Sequence, residues 1–397
     1  MTGATTPKLR FPGLREPWKP TAVSTLLEKQ SVPVDVDLAQ TYRQIGVRSH
    51  GKGIFHKDAV TGAELGDKRV FHIVPNAFVV NIVFAWEQAV ALTSDAEAGF
   101  IASHRFPMFT EKSGKSYLPF LRHMFLTKRG KLLLEIASPG GAGRNKTLGQ
   151  QEFLKLKPVV PGRAEQKKIA DAVDAVDAKL AALAAKQAAL GRFKAGLMQK
   201  LFSQQLRFTQ DDGKAFPDWQ EIELRSVSTI NPKSPKLPNR FRYIDLESVN
   251  AGTLGAVGEI EATEAPSRAQ RVLQRGDILY QMVRPYQRNN LYFELDGVYV
   301  GSTGYAQIRA RQNRQYLFHV LHTDEFVNRV LERCTGTGYP AINSNDLGKV
   351  TVPFPHPDEQ QKIANALSAM DAKIQAVAGQ ITKLQTFKKG LLQQMFV

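Results

Sequence analysis

Apolar positions along this 397-residue chain follow two rhythms. Near the C-terminus Ile363, Leu367, Met370, Ile374, Val377, Ile381 and Leu384 step by alternating fours and threes, the heptad spacing that keeps one apolar seam facing a partner helix. Midway along the chain Ile169, Val173, Val176, Leu180, Leu183 and Leu190 fall at the matching places, with polar Gln187 opposite Ile381. Neither stretch holds an internal proline, so each predicts one unbroken helix on the order of 55 to 60 Å long. Elsewhere the pattern shortens. Val70-Phe71-His72-Ile73-Val74 and Asp277 to Val283 predict strands, and amphipathic helices are expected around Tyr117 to Leu126 and around Tyr316 to Leu331.

The two long helical stretches are copies of one another. Pro161 to Phe202 realigns without a gap on Pro355 to Phe396 at a constant shift of 194, with 20 identities in 42 residues. One amphipathic helix would ordinarily be core packing, but two matched ones can pair with each other. Weaker echoes extend the duplication upstream. Leu9-Arg10-Phe11 and the Pro17–Trp18 region return as Leu206-Arg207-Phe208 and Phe216-Pro217-Asp218-Trp219, and Tyr42 to Ile45 returns as Phe241 to Ile244. A Gly-rich loop follows the short helices in each half, Gly140 to Lys146 in one and Gly336 to Pro340 in the other. The expected fold class is mixed α/β, in the order 1–160 mixed domain, 161–205 long helix, 206–354 mixed domain, 355–397 long helix. Antiparallel pairing of the two helices as a coiled coil, with an internal pseudo-two-fold repeat, would set the mixed domains a fixed distance apart. On B-DNA that length corresponds to roughly 16 to 18 base pairs.

Charge adds a partner class. The formal net charge is +16, and +13 of it lies before residue 206, a balance that favours a polyanion such as nucleic acid. The single cysteine, Cys334, allows no disulfide within the chain and no thiolate metal cluster. The longest apolar stretch, Ala77 to Leu92, is interrupted by Asn81, Glu87 and Gln88, and the N-terminus lacks an apolar signal core. A cytoplasmic protein with no membrane contact is expected.

Base-edge reading needs paired donors or acceptors, which Arg, Asn, Gln and Lys supply. Between Leu206 and Phe354 there are 14 Arg against 4 Lys, a bias toward bidentate geometry over simple phosphate attraction. The densest run of such types, Arg284, Tyr286, Gln287, Arg288, Asn289 and Asn290, follows a predicted strand and leads the DNA-binding candidates. Arg240, Arg242, Arg268, Arg271, Tyr339 and Asn343 come next. In the first half the candidates are Arg48, His50 and Lys52 on a Gly-flanked turn, Ser103, His104 and Arg105, and Arg144, Asn145 and Lys146. About half of such contacts fall on phosphates.

Apparent catalytic signals dissolve. Gly114-Lys115-Ser116 ends like a P-loop, but Phe109 stands where the first glycine is required. Gly141-x-Gly143 and Gly336-x-Gly338 follow helices rather than strands, the wrong setting for dinucleotide binding, and read as tight turns. His319 and His322 read as a surface pair rather than metal ligands. Asn231-Pro232-Lys233 only partly echoes an adenine-methyltransferase motif. No catalytic residue, metal site or cofactor site is expected in this chain.

The duplicated motifs resemble those of the specificity subunit of type I restriction–modification enzymes over essentially the whole length. The helix openings Pro161 to Ala170 and Pro355 to Ala364, and the helix ends Phe193-Lys194-Ala195-Gly196-Leu197 and Phe387-Lys388-Lys389-Gly390-Leu391, carry the resemblance. So do Ile45 to Gly53, Ile101 to Phe106, Gly276-Asp277-Ile278-Leu279 and Gly336 to Asn343. The first half departs from the second in having Pro75-Asn76-Ala77-Phe78 where the second has Gly276 to Leu279. The resemblance implies a non-catalytic subunit with two tandem target-recognition domains, each reading half of an interrupted site in double-stranded DNA. It implies docking of two adenine methyltransferase subunits and of motor–nuclease subunits, with S-adenosylmethionine, ATP and Mg on those partners. Three other readings stay open: a stand-alone DNA-binding regulator dimerising through the helices, a coiled-coil linker with incidental charge, and a recognition chain whose methyltransferase and nuclease share one partner polypeptide.

Overall fold

The computed structural model describes residues 6–112, 114–140, 146–250, 252–336 and 338–396, and the chain divides into two compact units. The first comprises Met1–Ala184 with Gly379–Val397, the second Ala185–Ala378. Both long helices, Arg163–Phe202 and Pro357–Met395, therefore contribute residues to each unit.

In the first unit a four-stranded antiparallel sheet runs in the order Leu27–Gln30, Met108–Glu111, Phe78–Val80, Val90–Leu92. All three residues of Phe78–Val80 are buried, as a strand covered on both faces requires. Short helices Leu118–Phe125, Lys128–Ile136 and Gln150–Lys155 follow the last strand, and Phe78, Phe109, Phe120, Phe125 and Phe153 meet in the core. Ile169 and Ala170 from the start of the first long helix join that core, and so do Met395 and Phe396 from the end of the chain. Phe396 stacks on Phe120 at 5.3 Å between ring centroids.

The second unit repeats the plan. Its antiparallel sheet runs Ser228–Ile230, Tyr305–Ala310, Ile278–Gln281, Leu291–Tyr292. A second four-stranded sheet, including a parallel pair between Arg240–Ile244 and Tyr299–Ser302, packs beside it. Ile363, Ala364 and Leu367 open the second long helix inside this core, and Leu201 from the end of the first lies with them.

Within each unit the long helices lie antiparallel. In the first, Ile169 and Met395 share a core while Lys388 donates to Asp177 at 2.5 Å, so residue numbers rise on one helix as they fall on the other. In the second, Lys194 donates to Asp371 at 2.6 Å. Both pairs are shifted copies of one another by 194 residues. Of the heptad positions, Ile169, Val173, Leu183, Ile363, Leu367, Met370 and Val377 are buried, and Val176, Leu180, Leu190, Ile374, Ile381 and Leu384 are half-buried.

A side-chain lock is also duplicated. The Glu165 carboxylate, 3% exposed, accepts from Arg10 at 2.8 and 2.7 Å and from the Trp18 indole at 3.3 Å. Glu359, fully buried, accepts from Arg207 at 3.1 and 2.9 Å and from Trp219 at 2.9 Å. Beside each carboxylate a glutamine staples the helix opening: Gln166 donates to the Pro161 carbonyl and Gln360 to that of Pro355, both at 2.9 Å. A buried carboxylate is tolerated only where its oxygens are filled this way.

The structure changes two expectations. The helix expected from Tyr316 to Leu331 is two helices, Arg314–Val320 and Asp324–Leu331. Thr323 takes an extended conformation, its hydroxyl accepts from Phe326 N–H, and Asp324 and Glu325 then occupy the first turn, so a new N-terminus outcompetes continuation. Nor are His319 and His322 a surface pair. His319 is buried with Nε2 3.3 Å from Ser368 Oγ, and half-buried His322 places Nδ1 2.7 Å from the Phe318 carbonyl. Burial pushes His319 down to about 3 and His322 down to about 4, so both are neutral at physiological pH. The Pro75–Phe78 departure has a backbone explanation: Asn76 and Gly276 both adopt left-handed φ, +55° and +87°, and Asn is among the few non-glycine residues that enter this region readily.

Candidate nucleic-acid interface

In the second unit the leading candidates form one turn between paired strands Ile278–Gln281 and Leu291–Tyr292. Its centre is the 3₁₀ segment Pro285–Gln287, flanked by Arg284 and Arg288, both left-handed at φ +53° and +54°. Non-glycine residues hold that conformation only when surrounding structure overdetermines it, and here it does. Arg284 N–H donates to the Pro340 carbonyl at 2.7 Å. Asn290, 1% exposed, accepts from Gln281 N–H at 2.8 Å, and the Gln281 amide donates to Gln287 at 2.9 Å and accepts from Asn289 N–H at 3.2 Å. Arg288 donates to the His322 carbonyl at 3.0 Å and pairs with Asp324.

These contacts sort the run by availability. Asn290 and Arg288 hold the turn; Arg284 and Tyr286 present it. The Arg284 guanidinium lies 4.1 Å over the Tyr339 ring and forms no ion pair among the described residues, and its buried Nε has no hydrogen-bond partner. Tyr286 is 48% exposed and Tyr339 68%. The first and second groups of candidates thus meet at one point, where Tyr339 from the loop after Gly336 stacks on Arg284.

The remaining second-unit candidates are scattered. Arg240 is exposed between Glu259 and Glu261, at 3.2 Å from each. Arg242 lies over Tyr299 at 5.5 Å, and Arg268 is exposed in the loop whose carbonyl accepts from Thr303 N–H. Arg271 is half-buried with an unpartnered Nε, and burial lowers its pKa. Asn343 spends its side-chain oxygen capping the helix Ser344–Gly348.

In the first unit Arg144 and Asn145 lie outside the described residues. The other candidates converge on a segment that sequence reasoning passed over, Ile82 to Gln88. The backbone N–H groups of His50 and Gly51 donate to the carbonyls of Glu87 and Gln88 at 2.7 and 3.1 Å, and Ser49 Oγ donates to Glu87 at 2.8 Å. Ile82 N–H donates to the Arg105 carbonyl at 3.0 Å, and Lys146 sits 5.6 Å over the Trp86 ring. The Arg48–Lys52 turn, the Ser103–Arg105 turn and Lys146 therefore share one hub. Arg48, His50, Lys52, His104 and Arg105 are all exposed around it, and Ser103 is half-buried.

That hub occupies the place of the Arg284 turn. It joins strands Phe78–Val80 and Val90–Leu92, contains the 3₁₀ segment Ala85–Glu87, and ends in left-handed Gln88 at φ +60°. Gln88 fixes it by donating to the carbonyls of Phe125 and Thr127 at 3.0 and 3.2 Å. Where the second unit presents Arg284 and Tyr286, the first presents Phe84, 41% exposed, and half-buried Trp86. A search for hydrogen-bonding residue types could not find it; the strand–turn–strand match to the second half could have.

By residue type His123, Asp174 and Asp177 could hold a metal, since their ligand atoms lie within 4.8 Å of one another. Cations of the protein already fill those carboxylates: Arg122 donates to Asp174 at 2.7 Å and Lys388 to Asp177 at 2.5 Å. The arrangement is an ion-pair network. No helix among the described residues is long and apolar enough to cross a membrane.

Residues 217–386 match the type I restriction modification DNA specificity domain, and this segment holds the Arg284–Tyr339 turn. The chain is 23% identical over 262 residues to the MjaVIII type I restriction enzyme specificity subunit of Methanocaldococcus jannaschii, a match covering 60% of this chain and 61% of that one. It is 28% identical over 197 residues to the HindI specificity subunit of Haemophilus influenzae, covering 45% and 41%. The chain thus aligns with about three fifths or less of the length of these relatives. Along the full length the fold is like that of the type I restriction–modification S subunit from M. genitalium, at TM-score 0.63, 18% identity and 99% coverage of both chains. The comparisons thus make the chain similar to type I restriction specificity subunits, most directly in its second half.

Proposed function

We propose that the chain is the DNA-reading subunit of a type I restriction–modification system and has no catalytic residue of its own. Residues 1–160 and 206–354 act as tandem target-recognition domains, each reading half of an interrupted site in double-stranded DNA. Segments 161–205 and 355–397 pair as an antiparallel coiled coil that sets the gap between the halves. The chain acts in a cytoplasmic complex with two methyltransferase subunits and with motor–nuclease subunits, which carry S-adenosylmethionine, ATP and Mg.

The observation that carries this reading is the repetition of one exposed turn between equivalent strands of equivalent sheets, with basic loops gathered around the first copy and Arg284 on the second. Phosphate attraction supplies affinity and the turn supplies sequence. The test is to map N6-methyladenine in DNA from cells expressing this chain with its methyltransferase partner. The expected result is one asymmetric motif with two defined halves and a fixed gap. A continuous motif, or methylation without this chain, would overturn the reading. A stand-alone regulator would instead retard its site with no partner present.

A further inference from the structure

We propose that Phe84 is the base-contacting residue of the first unit and reads the C5-methyl group of a thymine in the half-site bound there. The inference rests on the DNA-reading function above and assigns a chemistry to one tip. Four observations carry it.

Phe84 occupies the position of Arg284, one residue before the 3₁₀ segment of the matching turn. Phe84 is 41% exposed, whereas Phe78, Phe109, Phe120, Phe125 and Phe153 are buried and Phe11, Phe55, Phe71 and Phe106 half-buried. The turn is held from both sides, by His50 and Gly51 donating to Glu87 and Gln88 and by Gln88 donating to Phe125 and Thr127, so the exposed ring has a rigid base. The neighbouring indole cannot supply a base-directed donor, because Trp86 Nε1 already donates to the Val83 carbonyl at 3.1 Å. Phe84 and Trp86 therefore offer apolar surface at the tip, with no free indole donor.

Among base edges in the major groove only thymine presents an apolar group, and aromatic or methyl contact is how proteins detect it. Around it Arg48, His50, Lys52, His104 and Arg105 are exposed, and Lys146 above Trp86 adds a further cation, a basic rim suited to phosphate. The two units thus read by different chemistry from one scaffold: bidentate donation at Arg284, methyl contact at Phe84.

The test uses the full chain assembled with its methyltransferase subunits and a duplex carrying the mapped site. Each thymine of the first unit's half-site is replaced in turn by deoxyuridine, which keeps the hydrogen-bonding edge and deletes only the methyl group. Binding by the unaltered complex is expected to weaken about fivefold to tenfold at one thymine. With Phe84→Ala that penalty should vanish while the other half-site is read as before, and Phe84→Leu, still apolar, should keep most of it. A penalty that persists in Phe84→Ala overturns the assignment, as does deoxyuridine tolerance at every thymine. Sensitivity to Phe84→Ala without sensitivity to deoxyuridine would make Phe84 a wedge between base steps instead. Failure of the function itself looks different, since then neither half-site is discriminated by the unaltered complex.

Discussion

The two units share a frame and differ at its tips. Each locks its long helix with an Arg–Glu–Trp cluster, pairs strands of the same order, closes a core with the end of the other long helix, and projects a 3₁₀ turn ending in a left-handed residue. At the tips, Phe84 and Trp86 stand against Arg284 and Tyr286. Positions that set geometry have been kept through the duplication, while positions that face outward have diverged in chemistry. On the proposed function, two heads placed equivalently that read different sequences would separate their residues in this way.

The largest expected effect probes the shared frame. Glu359→Ala leaves the Arg207 guanidinium and the Trp219 indole without their acceptor in a buried site, a loss of about 3 kcal/mol. The Arg207 pKa, raised chiefly by its hydrogen bond to Glu359, reports the same interaction. Urea unfolding should show a lowered midpoint. If the frame is equivalent, Glu165→Ala lowers it comparably; a silent Glu165 variant would show that only one copy of the lock still holds.

The tips come next. Arg284→Ala should weaken binding about 10- to 100-fold through one half-site and relax specificity there alone, measured by competition against single-base variants. Arg288→Ala acts otherwise, because Arg288 is committed to Asp324 and the His322 carbonyl. It should loosen the turn and cut affinity without favouring any base. Equal loss of discrimination from both variants would mean that the partition between presenting and holding residues is wrong.

How far the sequence foretold this depends on the kind of signal. Heptad spacing located both long helices because a seam repeats over many turns, and Ile169, Val173, Ile363 and Leu367 lie buried where the period placed them. The Arg284 turn stood out from composition, since Arg, Asn, Gln and Tyr cluster there, and the structure places them on one turn. The Phe84 turn did not, because an exposed aromatic within an apolar stretch looks like core until its exposure is known. The break at Thr323 and the burial of His319 escaped for a related reason: a local cap and a tertiary neighbour, Ser368, decided them. Arg288 and Asn290 were singled out for DNA by residue type, whereas their partners Asp324 and Gln281, which tie them into the turn, become visible only when the chain is folded.

A pH experiment sharpens the comparison at a smaller scale. His319 is held down to about 3 by burial first and then by Lys194 and His322, with only the hydroxyl of Ser368 at its Nε2. Burial and Arg122 also lower His123, but there Asp174, 2.7 Å away, and Asp177 oppose the shift. A histidine whose folded pKa lies below its unfolded value of about 6.5 stabilises the fold above that pH. Its contribution is lost as pH falls, because the unfolded chain then binds the proton first. Each such group costs up to about 1.4 kcal/mol per pH unit. Nearby His322, held down to about 4 by burial, with the Phe318 carbonyl and Asp371 opposing and Lys194 and Arg288 adding to the shift, contributes to the same limb. Stability measured from pH 7 to pH 5 should fall, and His319→Gln should flatten that fall more than His123→Gln. The reverse order would show that Asp174 does not offset the burial of its histidine.

The smallest expected effect tests whether the helix contacts are equivalent as well. Lys388–Asp177 and Lys194–Asp371 occupy matching heptad neighbourhoods, and their carboxylates are 37% and 39% exposed. Solvent screens pairs this open, so each contributes about 0.5 kcal/mol. Single substitutions could mislead, because removing Asp177 also relieves its repulsion with Asp174 and forfeits its attraction to His123 nearby. A double-mutant cycle isolates the pairwise term. Asp177→Lys and Lys388→Asp are each expected to destabilise, and the swapped pair together should recover most of the loss. The Asp371→Lys, Lys194→Asp cycle should give the same coupling within error if the second unit's helix contact is a true copy of the first. A coupling present in one cycle and absent from the other would confine the two-fold correspondence to backbone and core, leaving the polar flank of the helices free to diverge as the exposed tips have.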